Sequence, residues 1–185
     1  MLNYYYADID CIDEKELDGL LRELPQTIKS RIDNKTHLLS KKQSIIGYSL
    51  LKDGVKALFD REIDDIGFSE NGKPLLDYCF FSISHSENMV ICAISDLPVG
   101  IDIQKIKEIA YKKKYSMFSS EESDFINEIS DFRHKRFFEI FTKKEALVKL
   151  YGMKLYDSIS LDAQNVKFEV YEKSDYMLCV ATLAK

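Results

Sequence analysis

The chain has 185 residues, 45% of them hydrophobic, and carries a net charge of −5 at pH 7. This length allows one ordinary domain or two small ones with a sizeable core. The acidic balance argues against a general nucleic-acid-binding protein, and no apolar run approaches the ~18 residues that a membrane-spanning helix needs. We therefore expect a protein that engages neither nucleic acid nor membrane.

Two further features bear on the cellular compartment. The first eight residues have no basic start and no apolar core, so they do not resemble a signal peptide. The cysteines form no C-x-x-C pair, and Cys79, Cys92 and Cys179 lie in apolar, strand-like runs, whereas Cys11 does not. We interpret those three as reduced core residues and not as metal ligands. The sequence thus predicts a cytoplasmic protein.

The sequence of each half of the chain predicts helices and three strands. The first half indicates a strand at about residues 4–9, an amphipathic helix opened by Asp13 and Glu16, a helix with Pro25 in its first turn, a long helix over about 35–52 ending near Gly54, a short helix at about 55–60, a turn at Asn71-Gly72, and strands at about 79–84 and 89–95. The second half indicates a strand at about 99–104, a helix opened by Ser119 and Glu122, a helix over about 132–151 ending at Gly152, and strands at about 166–172 and 176–183.

A weak internal repeat links the two halves. Residues 81–95 align without gaps to residues 168–182, at an offset of 87 residues. Identities are few, but the apolar pattern and the turn coincide. Two hairpins of any origin can look alike, so this alignment alone leaves both duplication and chance open.

The helix over 132–151 carries a glutamate where an apolar side chain is expected. At helical spacing Phe138, Phe141, Glu145 and Val148 fall on one face. A carboxylate on a buried face must be paired, protonated or bound to a metal ion, because an isolated buried charge is costly. Lys149 emerges one turn later, so an intrahelical pair with Glu145 on a solvated flank fits this segment equally well.

A second acidic position lies on the predicted strand at 99–104. Asp102 and Gln104 point to the same side of that strand, and Ile101 and Ile103 point to the other. One interpretation is an edge strand with a wet polar face. The other is a set of oxygen ligands for a hard cation such as Mg²⁺, completed by Glu145 from the helix.

Basic residues cluster in two segments of this acidic chain. Residues 25–52 contain six lysines and arginines against Asp33 alone, and residues 104–115 also lean basic. Such runs are commonly solvated faces. Alternatively, they form positive patches that suit a polyphosphate ligand and an acidic protein partner.

Four motifs, in order along the chain, resemble those of 4′-phosphopantetheinyl transferases. Gly100-Ile-Asp102 and Lys144-Glu145-Ala-Leu-Val-Lys149 are similar to the two signature motifs of that superfamily. Asn71-Gly-Lys-Pro74 and Phe81-Ser-Ile-Ser-His-Ser86 are similar to two further motifs of its surfactin-type branch. The resemblance spans about residues 71–152 and is looser on either side.

The resemblance implies an α+β fold made of two similar halves related by a pseudo-twofold, with the active site in the cleft between them. Residues 1–97 would form the half that binds the nucleotide of coenzyme A, and residues 98–185 the half with the metal and catalytic motifs. The implied activity is Mg²⁺-dependent transfer of the phosphopantetheine arm of coenzyme A to a serine of an apo acyl or peptidyl carrier protein, giving the holo carrier and 3′,5′-ADP. A monomer is expected, because one chain would supply both halves of the site.

The resemblance also assigns roles to residues. Asp102, Gln104 and Glu145 would hold the metal, Lys149 would contact the phosphates and steady the leaving group, and Glu145 or a water it holds would accept the serine proton. The residues expected at the coenzyme A phosphates are Lys73, Ser84, His85 and Lys149, with Arg31 and Ser44 at the 3′-phosphate.

Two residues depart from the pattern of this branch. Gln104 stands where the branch usually has glutamate, which makes the expected metal site one charge less negative. Phe141 replaces a common tryptophan and should preserve packing, and the chain is somewhat short. A catalytically weak relative that binds coenzyme A or a carrier without turnover, and an unrelated α+β binding module, remain as alternative interpretations.

Overall fold

The protein is described here by a computed structural model that covers residues 1–70, 72–108, 117–153 and 163–184. The chain divides into two compact units, Met1–Val99 and Gly100–Lys185. Each unit combines helices with antiparallel strand pairs, so the predicted α+β class is confirmed. No helix among the described residues is both long and apolar enough to span a membrane.

In the first unit one long helix packs on a three-stranded sheet, and two shorter helices pack against that helix. The elements are β1 (Leu2–Asp8), α1 (Glu14–Glu23), α2 (Gln26–Asp33), α3 (Leu38–Phe59), the short strands β2 (Gly67–Phe68) and β3 (Pro74–Leu75), β4 (Phe80–Ser86) and β5 (Met89–Ser95). The order of the strands in the sheet is β1-β5-β4. The paired two-residue strands β2 and β3 have no counterpart in the sequence prediction, because so short a hairpin leaves no periodic pattern.

The long helix α3 corrects the sequence analysis at Gly54. The glycine was expected near the helix end, with a separate helix after it, but α3 continues to Phe59 and is capped by Asp60 in a left-handed conformation. Gly54 is instead needed for close packing, since an added Cβ would lie 2.3 Å from Ile94 Cδ1 and 2.6 Å from Tyr5 Cε2. The missing side chain lets α3 approach β1 and β5.

The described part of the second unit also combines helices with a three-stranded sheet. Its sheet has the order β6-β8-β7, and its elements are β6 (Val99–Lys105), α4 (Ser120–Asn127), α5 (Arg133–Tyr151), β7 (Val166–Lys173) and β8 (Tyr176–Leu183). The predicted capping box at Ser119 and Glu122 forms with both of its hydrogen bonds, and Gly152 ends α5 with a φ of +69°. These local predictions are confirmed.

The internal repeat is visible in strand pairing. Phe81 faces Ile94 in the β4–β5 hairpin, and Phe168 faces Ala181 in the β7–β8 hairpin, so both partners shift by the same 87 residues. Each sheet also places its first strand beside its third. The two hairpins therefore share register and position in the sheet, as the gapless alignment predicted.

Candidate active site

A glycine sets the distance between β6 and α5 in the second unit. An added Cβ on Gly100 would lie 1.9 Å from the carbonyl oxygen of Ala146 and 2.6 Å from the backbone nitrogen of Leu150. Both are backbone atoms of α5, which no rotamer change could move aside. Only glycine permits this approach, and it brings the polar face of β6 against the α5 turn that carries Glu145 and Lys149.

Asp102 is the buried acidic group of this strand. It is 1% exposed, and each of its carboxylate oxygens accepts a hydrogen bond. Lys149 Nζ donates to Oδ1 at 2.7 Å, and Gln104 Nε2 donates to Oδ2 at 3.1 Å. The predicted shared face of Asp102 and Gln104 is thus present, and the buried charge is balanced by a lysine from the facing helix.

Glu145 lies one helical turn before Lys149 and is half-buried. Burial and, secondarily, the charge of Asp102 raise the pKa of Glu145, and the Lys149 charge opposes that rise. Two carboxylates and one lysine therefore influence each other electrostatically. Because Lys149 donates to Asp102 across the strand–helix contact, an intrahelical pair on a solvated flank does not account for Glu145.

A partly buried ion pair lies immediately beside Glu145, and the sequence analysis did not predict it. Lys144 is 6% exposed, and its Nζ lies 2.9 Å from Glu122 Oε2. The same oxygen accepts a hydrogen bond from the backbone nitrogen of Ser119 at 2.8 Å, so the cap of α4 is tied to α5. The available signal was that Lys144 follows Phe137 and Phe141 at helical spacing on an apolar face, which requires an acidic partner.

The first unit brings several predicted phosphate-binding residues to the region of α3. The Arg31 guanidinium lies 3.5 Å from the centroid of the Phe68 ring. The Phe68 hairpin also carries Lys73, whose carbonyl accepts from the backbone nitrogen of Ser69 at 2.9 Å. Burial raises the pKa of Tyr48 on α3, and the nearby Arg31 charge opposes this. Burial also lowers the pKa of Lys73, as expected of a cation in a partly desolvated position.

The remaining three predicted residues occupy different surroundings. Ser44 lies one turn before Tyr48 on α3 and donates its hydroxyl to the carbonyl of Ser40 at 2.9 Å. His85 is exposed on the face of β4 that also carries Ile83 and packs toward α3. Ser84 is 4% exposed and points to the opposite face. Asn71 of the same motif group lies outside the described residues, as do Lys112 to Lys114 of the basic segment.

The donor set of the second unit suits a hard cation. Two carboxylates and an amide, from Asp102, Glu145 and Gln104, are the oxygen ligands that Mg²⁺ accepts. In the present arrangement Gln104 turns its nitrogen toward Asp102, so its oxygen could act beside Asp102 only after the amide rotates. Among the described residues there is no group of three His, Cys, Asp or Glu side chains placed to hold a metal ion.

Sequence comparisons agree with this arrangement. Residues 98–181, from β6 into β8, match the sequence model of the 4′-phosphopantetheinyl transferase superfamily. That segment contains Gly100, Asp102, Glu145 and Lys149. The resemblance found in the motifs is confirmed, and the chain belongs to this superfamily.

Curated relatives support the surfactin-type branch. The chain is 32% identical over 139 residues to 4′-phosphopantetheinyl transferase gsp of Aneurinibacillus migulanus, covering 71% of this chain and 59% of that protein. It is 34% identical over 131 residues to 4′-phosphopantetheinyl transferase Sfp of Bacillus subtilis (strain 168), covering 68% and 58%. It is 28% identical over 162 residues to 4′-phosphopantetheinyl transferase ffp of Bacillus subtilis, covering 84% and 71%. The chain thus spans less than two thirds of the length of the first two relatives.

Proposed function

We propose that this protein transfers the 4′-phosphopantetheine arm of coenzyme A to a serine of an apo acyl or peptidyl carrier protein. The serine oxygen forms a bond to the phosphorus that bears the pantetheine arm. The bond from that phosphorus to the bridging oxygen of the pyrophosphate breaks, and 3′,5′-ADP leaves with this oxygen. The serine proton passes to a base. The products are the holo carrier and 3′,5′-ADP.

The observation that carries the proposal is the Asp102–Lys149 ion pair with Glu145 on the same helix. Phosphoryl transfer depends chiefly on positioning and charge neutralisation. In this proposal Lys149 steadies the negative charge that develops on the leaving group. Glu145, whose pKa burial raises, is a better proton acceptor near neutral pH than an exposed glutamate. Both relatives with more than 30% identity described above are 4′-phosphopantetheinyl transferases, which supports the same reaction.

Asp102, Glu145 and Gln104 would hold a magnesium ion. When bound, the ion would neutralise the pyrophosphate of coenzyme A and polarise the phosphoryl group. Asp102 would keep its position through Lys149 and the close approach at Gly100, whereas the Gln104 amide would have to rotate to offer its oxygen.

The basic set of the first unit is proposed to bind the nucleotide phosphates. Lys73, Ser84 and His85 correspond to family positions for these groups, and Arg31 and Ser44 to positions near the 3′-phosphate. Arg31 lies over the Phe68 ring, and Lys73 belongs to the same hairpin as Phe68, which supports one shared anionic ligand. We also propose that the protein acts as a cytoplasmic monomer without nucleic-acid partners.

One observation favours a second candidate. Gln104 donates to Asp102 and adds no negative charge, so the site would bind a metal ion weakly. A weak metal site favours a catalytically weak relative that binds coenzyme A or a carrier without turnover.

Intact-mass spectrometry tests the proposal directly. Several apo carrier proteins are incubated with this protein and coenzyme A, once with Mg²⁺ and once with EDTA. A mass increase of one phosphopantetheine that disappears in EDTA supports the transferase and its metal. If no carrier gains mass while coenzyme A still binds, the non-catalytic relative is favoured instead.

A further inference from the structure

The turn between β4 and β5 is strained. Ser86 pairs with Met89, so Glu87 and Asn88 form a two-residue loop. Glu87 has a φ of +51°, in the left-handed region, where glycine, asparagine and aspartate are the preferred hairpin residues. A glutamate keeps this conformation only when its surroundings hold it, and such strain is concentrated near functional sites.

A side chain from α3 provides one of these holds. Gln43 is 5% exposed, and its Nε2 donates to the carbonyl oxygen of Glu87 at 2.8 Å. The two residues are separated by 44 positions in sequence. A buried amide is retained in a protein interior when its hydrogen bond is made, so this contact fixes both the Gln43 rotamer and the direction of the Glu87 peptide.

The other side of the turn is tied to the segment that follows β1. The backbone nitrogen of Ile9 donates to the carbonyl of Asn88 at 2.8 Å, and Asn88 Nδ2 donates to Asp10 Oδ2 at 2.5 Å. Both residues of the loop therefore have their carbonyls held. The turn is fixed from two directions, by α3 and by the segment after β1.

The repeated hairpin of the second unit shows which features of this turn occur in both units. There Ser174 occupies the position of Glu87, with a φ of +54°, and the backbone nitrogen of Ile106 donates to the carbonyl of Asp175 at 2.6 Å. The left-handed residue and the backbone tie thus recur in both units. The first hairpin adds the Gln43 bond to this shared frame.

We propose that Gln43 is a positioning residue for His85. His85 lies two residues before Glu87, on the β4 face toward α3, and is exposed. Holding the Glu87 peptide sets the direction in which the end of β4, and with it the imidazole, faces a phosphate of coenzyme A. This inference rests on the proposed function, and it deepens it by naming the group that orients a phosphate contact.

The test compares Gln43→Glu, Gln43→Ala and the double variant Gln43→Ala/Glu87→Gly in carrier phosphopantetheinylation. A carboxylate cannot donate to the Glu87 carbonyl, and glycine needs no support in the left-handed region. We expect both single variants to raise KM for coenzyme A about tenfold, with kcat within about twofold. A tenfold change is the effect of losing one good hydrogen bond to a charged group, here the bond from His85 to the phosphate. The double variant should recover most of that loss. Gln26→Ala, at an exposed glutamine on α2, is the matched control.

Hydrogen exchange of the backbone amides from Ser86 to Val90 gives a readout that does not need activity. The proposal expects faster exchange at this turn in Gln43→Ala and restored protection in the double variant. Unchanged KM and unchanged exchange would overturn it, and so would a KM loss that glycine does not rescue, because that result indicates general destabilisation. If the wild-type protein neither binds coenzyme A nor transfers, the proposed function fails and the role at the phosphate falls with it. Faster turn exchange in Gln43→Ala would then still establish the hold on Glu87.

Discussion

Lys149 on α5 lies 2.7 Å from the Asp102 carboxylate on β6, and that carboxylate is only 2% exposed. The pair joins two residues that are 47 positions apart in sequence. A buried carboxylate with a lysine partner is stable only while both are present. The pair therefore links folding of the second unit to the placement of its candidate catalytic groups.

Replacing Lys149 with alanine should impair both stability and transfer. The change leaves the Asp102 charge buried without its cation. We therefore expect the free energy of unfolding to fall by an amount toward the lower end of the roughly 3–5 kcal/mol typical of a broken buried pair. Transfer should fall by about 10²- to 10³-fold or more, as when an electrostatic stabiliser is removed. Urea unfolding and carrier-loading rates measure the two effects.

The matched control is Lys167→Ala, which removes an exposed lysine paired with Glu169 on β7. Surface pairs contribute about 0–1 kcal/mol, so this variant should resemble the wild type in both assays. A Lys149→Ala protein that behaves like this control would show that Lys149 is an ordinary surface residue.

Glu145→Gln should abolish transfer yet stabilise the metal-free fold at neutral pH. The folded-state pKa of Glu145 is raised above its ordinary value of 4.5, chiefly by burial. The folded protein therefore holds this proton more tightly than the unfolded chain does. The resulting stabilisation is present below about pH 4.5 and is lost as pH rises through the raised pKa.

Thermal unfolding in EDTA at a series of pH values measures this effect. We expect the Glu145→Gln variant to exceed the wild type by about 0.5–2 kcal/mol at neutral pH, with the difference vanishing in acid. A variant that is less stable at neutral pH would mean that the ionised carboxylate is favourably paired in the folded protein.

Gly100→Ala should separate β6 from α5. Its Cβ would lie 1.9 Å from a backbone oxygen of α5, so the strand must move, at a cost at or above the roughly 1–3 kcal/mol of an overpacked core. Gly19→Ala is the control, because Gly19 lies within α1 with nothing inside 4 Å of the added atom. That change should instead increase the free energy of unfolding by up to about 1 kcal/mol, because alanine has a higher helix propensity than glycine. Similar melting curves for the two variants would exclude a close strand–helix approach.

Gln104→Glu should make the protein more sensitive to Mg²⁺. The change replaces an amide that donates to Asp102 with a like charge, so the metal-free protein should melt lower than the wild type. Added Mg²⁺ should then raise the melting temperature further than it does for the wild type, and transfer at low Mg²⁺ should be equal or higher. Gln26→Glu on α2 provides the control. An identical Mg²⁺ response in both variants would place Gln104 away from the metal.

Lys144→Met should weaken the contact between α5 and α4 and so affect the position of the adjacent Glu145. Glu122 would lose its buried cation. Because Glu122 keeps some exposure, we expect the free energy of unfolding to fall by about 2–3 kcal/mol, less than the roughly 3–5 kcal/mol of a fully buried pair. Lys143→Met is the control, since Lys143 forms an i,i+4 pair with Glu139, and such a pair is worth a few tenths of a kcal/mol. Urea titration and steady-state kinetics measure both variants, and equal behaviour would refute a role for the Lys144–Glu122 pair.

Local sequence signals anticipated most of the elements. The capping box at Ser119, the left-handed cap at Gly152 and the alternation along β6 each depend on residues a few positions apart, so they can be recognised without tertiary information. The 87-residue repeat could also be seen, because strand register follows the apolar pattern. Gly54 could not be assigned correctly, since glycine marks both a helix end and a close contact.

The sequence by itself determined most of the helices, the longer strands and the motif residues Asp102, Gln104, Glu145 and Lys149, because periodicity, caps and motif spacing are properties of neighbouring positions. The tertiary structure decided which partner each charged group takes. Lys149 turns to Asp102, although Glu145 is nearer in sequence, and Lys144 turns to Glu122. Those choices depend on how closely a strand and two helices approach and on how much water they exclude. Burial makes an unpaired charge very costly, so a buried charge pairs with an opposite charge that is near in space, even when that residue is distant in sequence.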